Sequence, residues 1–108
     1  MNKANSAYCV EFFEAKPGCR EALFEALAKL VPLSKAEAGC LQYELLQDKE
    51  NPNLLILIAE FENEALMQAH DTQSYVIDFA EKQMNQLCQS VEWFDAKKGA
   101  SAVEQSLS

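Results

Sequence analysis

The chain has 108 residues, the length of one domain rather than two, and a domain this small buries only roughly 65% of the surface its unfolded chain exposes. Its composition, 49% hydrophobic and 24% charged, is that of an ordinary globular protein. Nine basic against 17 acidic side chains leave a net charge of −8, which repels phosphate backbones and anionic lipid and so argues against nucleic acid and membranes as partners.

The polar start, Met1 to Ala7, has no apolar signal core, and no stretch approaches the length of a membrane span. A cytoplasmic location is therefore expected. The four cysteines (Cys9, Cys19, Cys40, Cys88) are then expected as reduced thiols, and none has ligand spacing with the single histidine.

Tyr8 to Ala15 reads as a first strand, with Tyr8, Val10 and Phe12 on one face and Cys9, Glu11 and Phe13 on the other. Pro17 and Gly18 punctuate the chain before a helix over about Cys19–Val31, whose stripe is Leu23, Leu27 and Leu30. Pro32 is expected to kink or restart that helix, residues 35–38 to form a last turn, and Gly39 to take the left-handed position that ends it.

Cys40–Gln47 and Leu54–Phe61 read as strands joined by the polar turn 48–53. Residues 54–59 are continuously apolar, so both faces of that strand need cover. Helices can cover one face, and the same sheet of a second subunit is the simplest cover for the other. Asn63 caps a short helix over Glu64–His70, and Asp71 or Thr72 caps a longer one over about Gln73–Gln89. Val91–Ala96 reads as the last strand.

The order β-α-β-β-α-α-β predicts an α+β, ferredoxin-like domain with a four-stranded antiparallel sheet, paired face to face as a dimeric α/β barrel. Residues 1–6 form an N-terminal segment, 7–98 the domain, and 99–108 a flexible tail.

Several landmarks then resemble one family. Glu37-Ala38-Gly39-Cys40-Leu41-Gln42-Tyr43-Glu44-Leu45 resembles its "E-x-G-C-x-x-Y-x-L" entry into the second strand. Gln47-Asp48 followed by Pro52 resembles its hairpin, and Glu60 to Leu66 followed by His70 resembles its "E-x-W-x-x-x-x-A-L-x-x-H" run. The Pro17-Gly18 pair matches as well. Together they make the chain similar, over roughly 7–97, to the antibiotic-biosynthesis monooxygenases, which include small quinol monooxygenases. Phe61 stands at the family's tryptophan, and in the "H-x-x-x-P-H" pattern Ser74 and Tyr75 stand where the proline and the second histidine would be.

The resemblance implies a cofactor-independent monooxygenase that oxidises a small quinol-like or polyphenolic compound with O₂. His70 is the candidate general base, because a histidine side chain ordinarily changes charge between pH 5 and 8 and the family motif puts its histidine there. Glu60 is a candidate to orient it or accept a proton, and Tyr75 to stand in for the missing histidine. Tyr43, Tyr75 and Trp93, large apolar bodies with polar tips, could wall a flat aromatic substrate, and Phe12 joins Tyr43 and Trp93 as a substrate contact. No glycine-rich phosphate loop and no metal-ligand spacing appear, so no cofactor is expected.

The expected partners are a second copy of the chain and the small aromatic substrate. Two alternatives stay open: an isomerase of a small carbonyl metabolite, or a non-catalytic dimeric ligand-binding module. A haem-degrading relative fits poorly, since Glu11, His70 and Ala80 stand near the positions where that subgroup has Asn, Trp and His.

Overall fold

Four antiparallel strands carry the chain's architecture in a computed structural model that describes residues 5–99. They are β1 (Ala7–Ala15), β2 (Cys40–Gln47), β3 (Leu54–Phe61) and β4 (Cys88–Lys97), in the order β2-β3-β1-β4. Both helical connections return the chain to the sheet, which is the expected ferredoxin-like plan. The expected flexible tail lies, apart from Gly99, outside the described residues.

The alternation read from β1 is visible in the pairing. Ala7, Cys9, Glu11 and Phe13 stand opposite Phe61, Ala59, Leu57 and Leu55 of β3. The odd-numbered face is the core: Phe13, Leu55, Leu57 and Phe61 are each at most 2% exposed. Helix α1 (Arg20–Lys35) lays Leu23, Leu27 and Leu30 on it. Each such side chain contributes about 1.5–3 kcal/mol by leaving water.

The even-numbered face carries Val10 and Phe12 of β1, Ile56 and Ile58 of β3 and Phe94 of β4, with no helix among the described residues over it. Phe12 and Phe94 meet edge to face at 5.9 Å, yet Phe94 is still 60% exposed.

Pro32 lies inside α1, which runs on through it instead of restarting there. Only the bond its missing N–H would have made is forfeited. The last turn is held by buried Leu30 and Ser34 and by the Ala36 N–H, which bonds the Pro32 carbonyl at 3.2 Å. Gly39 does take the left-handed region, at φ +82°. A Cβ there would collide with Leu66 Cδ1, so the glycine also lets the next helix approach.

That helix, α2 (Glu64–Asp71), starts as expected: the Asn63 side chain accepts from the Leu66 N–H at 2.9 Å. The single long helix expected over Gln73–Gln89 is instead α3 (Ser74–Asp78), a π-helical turn (Phe79–Gln83) and α4 (Met84–Leu87). The Met84 N–H bonds the Phe79 carbonyl five residues back. This wider turn keeps Phe79 and Met84 on one face, which a 3.6-residue period would separate. β4 begins at Cys88, three residues before the expected Val91, because Lys16 ties down the end of α4. Its N–H bonds the Leu87 carbonyl and its Nζ the Asn85 carbonyl, both at 2.8 Å.

Candidate functional site

The cross-strand row Tyr43–Ala59–Cys9 puts a methyl group at the centre of the sheet, where a larger side chain would meet the helices. A cavity of about 120 Å³ opens there. Its floor is Cys9, Glu11 and Phe13 of β1, Tyr43 of β2, and Leu57 and Ala59 of β3. Its roof is Met67, His70 and Asp71 of α2, Val76, Phe79, Ala80 and Met84, with Leu30 of α1 at one side. Among the described residues, no Lys or Arg lines it.

His70 is buried, 6% exposed, between two aromatic rings of the sheet. Its imidazole lies 5.4 Å from the Tyr43 ring, edge to face, and 5.1 Å from the Phe61 ring. Nδ1 is 2.9 Å from Oε2 of Glu37. A carboxylate only accepts, so Nδ1–H is the donor that this contact calls for, and a neutral ring donating there has its lone pair on Nε2. The Tyr75 hydroxyl donates to the same Glu37 oxygen and also lies 3.1 Å from the Leu33 carbonyl. Burial, and then the Glu37 carboxylate, push the Tyr75 phenol up to about 12, so it stays a donor at neutral pH.

Glu37 reaches His70 because the turn after α1 is fixed. The Glu37 N–H bonds Ser34 and the Cys40 N–H bonds Glu37 through their carbonyls, at 3.1 and 3.2 Å, and Gly39 admits Leu66 of α2.

Glu11 is the second titratable group of the cavity. Burial, then the nearby Asp71 and Asp95 carboxylates, push its carboxyl up to about 7. Asp71 beside His70 is also pushed upward, mainly by burial and against the favourable pull of His70. Burial first, then Glu11 and Asp95, drive the Cys9 thiol up strongly, so it stays protonated. Burial does the same to the Tyr43 phenol.

The six residues singled out from the sequence do not all converge. Tyr43 and His70 line the cavity together. Tyr75 joins them from behind, through Glu37, and not as a cavity group. Glu60 does not meet His70: it pairs with Tyr8 and lies on the even-numbered face with Ile56 and Ile58, while His70 packs over the odd-numbered one. The partner expected in Glu60 is Glu37. Phe12 is on the even-numbered face too, against Phe94. Trp93 has the core-side parity, opposite Glu11, but β4 is an edge strand and the indole is 61% exposed. Among the described residues, no three His, Cys, Asp or Glu side chains are grouped to hold a metal ion.

The family model for antibiotic biosynthesis monooxygenase matches residues 7–82, which takes in β1 through all but the last residue of the π turn and every group of the Glu37–His70–Tyr75 cluster. The chain belongs to the antibiotic biosynthesis monooxygenase family. Solved structures share the fold. A protein of Shewanella oneidensis is 28% identical, with a TM-score of 0.86 over 88% of this chain and 92% of that one. One of Pseudomonas aeruginosa is 30% identical, with a TM-score of 0.83 over 91% and 98%. One of Mycobacterium tuberculosis, 19% identical, shares the fold with a TM-score of 0.81 over 86% and 94%. Among curated proteins, none matches the chain.

Proposed function

We propose that the protein is a cofactor-independent monooxygenase of a quinol-like compound, with His70 as its general base. The observation that carries this reading is the buried imidazole of His70, whose Nδ1 lies against Glu37 and which also lines the cavity. Nε2 takes a proton from a ring hydroxyl. The resulting phenolate is electron-rich enough to pass an electron to O₂, so the substrate is its own reductant. Recombination of superoxide with the substrate radical forms a C–O bond, and loss of water leaves a carbonyl. For a simple quinol the balance is quinol plus O₂ giving hydroxyquinone plus water. The protein supplies a base, orientation and exclusion of bulk water.

The active form is proposed to be a homodimer in the cytoplasm. The even-numbered face, with Val10, Phe12, Ile56, Ile58 and Phe94, is an apolar sheet surface that a second copy would cover. No helix among the described residues is long and apolar enough to cross a membrane.

An oxygen electrode with purified protein and a panel of quinols tests the activity. Uptake of one O₂ per quinol, lost in His70→Ala, is the expected result; no uptake with any quinol would defeat the reading. One observation favours a second reading, an isomerase: Glu11 and His70 are two proton-exchanging groups in one cavity. Turnover of a carbonyl substrate without oxygen would select it.

A further inference from the structure

We infer that the cavity accepts a single aromatic ring, uncharged and bearing hydroxyl groups at two positions, with one hydroxyl on His70 and the other on Glu11. This deepens the proposed function and rests on it for the role of His70.

Size comes first. The cavity measures about 120 Å³. An apolar cavity of about 150 Å³ holds a benzene ring, and pockets for larger drug-sized ligands begin near roughly 300 Å³. One ring fills the available space, and fused rings exceed it. The surroundings are right for such a ring. Leu57, Met67, Val76 and Phe79 are apolar walls, and Ala59 leaves the space at the centre.

Polarity fixes the ring's substituents. His70 projects from the α2 roof over Tyr43 and Phe61, at the β2–β3 side of the floor. Glu11 rises from the floor on β1, the next strand over, with Leu57 of β3 on one flank and Trp93 of β4 on the other. The two polar groups therefore stand over different strands of the same cavity, which suits oxygens at two positions of one ring. Glu11 makes no hydrogen bond or ion pair to a cation within the described residues, so its carboxyl has a free valence for a ligand hydroxyl.

Charge excludes the alternatives. The groups around Glu11 are Asp71 and His70 from α2, Asp95 from β4, Tyr43 from β2 and Cys9 on its own strand, and β3 offers only Leu57 and Ala59. Among the described residues, no lysine or arginine lines the cavity to receive a carboxylate, sulfate or phosphate. An anionic substituent in place of the second hydroxyl would meet carboxylates at close range and low dielectric.

The test is anaerobic binding by calorimetry at pH 7.5, which reads the cavity without any turnover. The ligands are hydroquinone, 4-hydroxybenzoate, and a three-ring hydroxyanthrone. Wild type should bind hydroquinone, bind 4-hydroxybenzoate at least tenfold more weakly, and not bind the anthrone. Glu11→Leu should weaken hydroquinone about tenfold, the loss of one hydrogen bond to a buried group. Glu11→Gln should keep hydroquinone and narrow the gap to 4-hydroxybenzoate. Anthrone or 4-hydroxybenzoate binding as tightly as hydroquinone to wild type would overturn the inference, whatever the variants do. Turnover of anthrone but not hydroquinone in the oxygen electrode would sink it and leave the monooxygenase standing. Selective hydroquinone binding without any oxygen uptake would support it and sink the monooxygenase.

Discussion

The carboxylate of Glu37 lies 2.9 Å from Nδ1 of His70, across thirty-three residues of sequence. One group lies in the turn after α1 and the other in the last turn of α2, and the contact engages Nδ1, which leaves Nε2 as the nitrogen free to act.

Removing either partner should therefore have a different kinetic signature. His70→Ala is expected to lower turnover of a quinol by about 10²–10⁴-fold, the range for a lost general base. Glu37→Gln should lower kcat by roughly 10–100-fold, as for other groups that orient a working histidine, with KM near wild type because Glu37 does not line the cavity. Tyr75→Phe removes only a hydroxyl bonded to Glu37 and should cost less activity than either. Steady-state kinetics on the three variants checks the order, and equal losses for Tyr75→Phe and His70→Ala would contradict it.

Gly39 and Gly18 offer a matched pair for stability. Both have positive φ, +82° and +80°. Alanine at Gly18 meets nothing within 4 Å and should cost only the left-handed backbone, about 1–2 kcal/mol. Alanine at Gly39 also collides with Leu66, adding about 1–3 kcal/mol of overpacking. Urea titration should show Gly39→Ala clearly the less stable, and a Gly39→Ala, Leu66→Ala double variant should recover part of the difference.

Two neighbours on β3 separate folding from assembly. Ile56 looks to the even-numbered face, and Leu57, 2% exposed, looks to the helices. Ile56→Asp should give a folded monomer by sedimentation at micromolar concentration where wild type is a dimer. Leu57→Asp should not fold, because it buries a charge without a partner. A monomeric wild type would remove the case for two sheets face to face.

Glu11 makes stability depend on pH with a definite sign. Its carboxyl is raised in the folded chain to about 7 from an ordinary 4.5, so the folded state binds the proton more tightly than the unfolded one. Stability linked to this group is full below about pH 4.5 and is lost as pH rises through about 7. Asp71 is shifted in the same direction. Glu11→Gln should therefore be more stable than wild type at pH 8, on the order of 1–3 kcal/mol, and nearly equal to it at pH 4.5. Urea midpoints of both proteins across this range provide the measurement. A constant offset at every pH would show that Glu11 carries its charge in the folded state.

Much of this arrangement was legible in the residues. The alternation in β1, the continuous apolar run of β3, the Asn63 cap and the left-handed Gly39 are local patterns, and local patterns survive folding. The strand parity also held the answer to Glu60 and Phe12. Glu60 shares parity with Ile56 and Ile58, and Phe12 with Val10, so neither could face a histidine on the helix side. Glu11 shares parity with buried Phe13, a carboxylate written into the core side of a strand, and that signal was there to be read. Glu37 was not legible as a partner of His70. Its place in the motif marks a turn, and the contact depends on how two helices meet. The π turn was hidden for a related reason, since a wider turn shifts the helical period by a residue without any residue type that announces it.

Cys9 gives the cavity one more property. Oxidants attack the thiolate form of cysteine and largely spare the thiol. Burial and the carboxylates of Glu11 and Asp95 hold this sulfur in its thiol form. If oxygen is reduced in this cavity, as proposed, the same acidic wall would also keep the protein from oxidising itself.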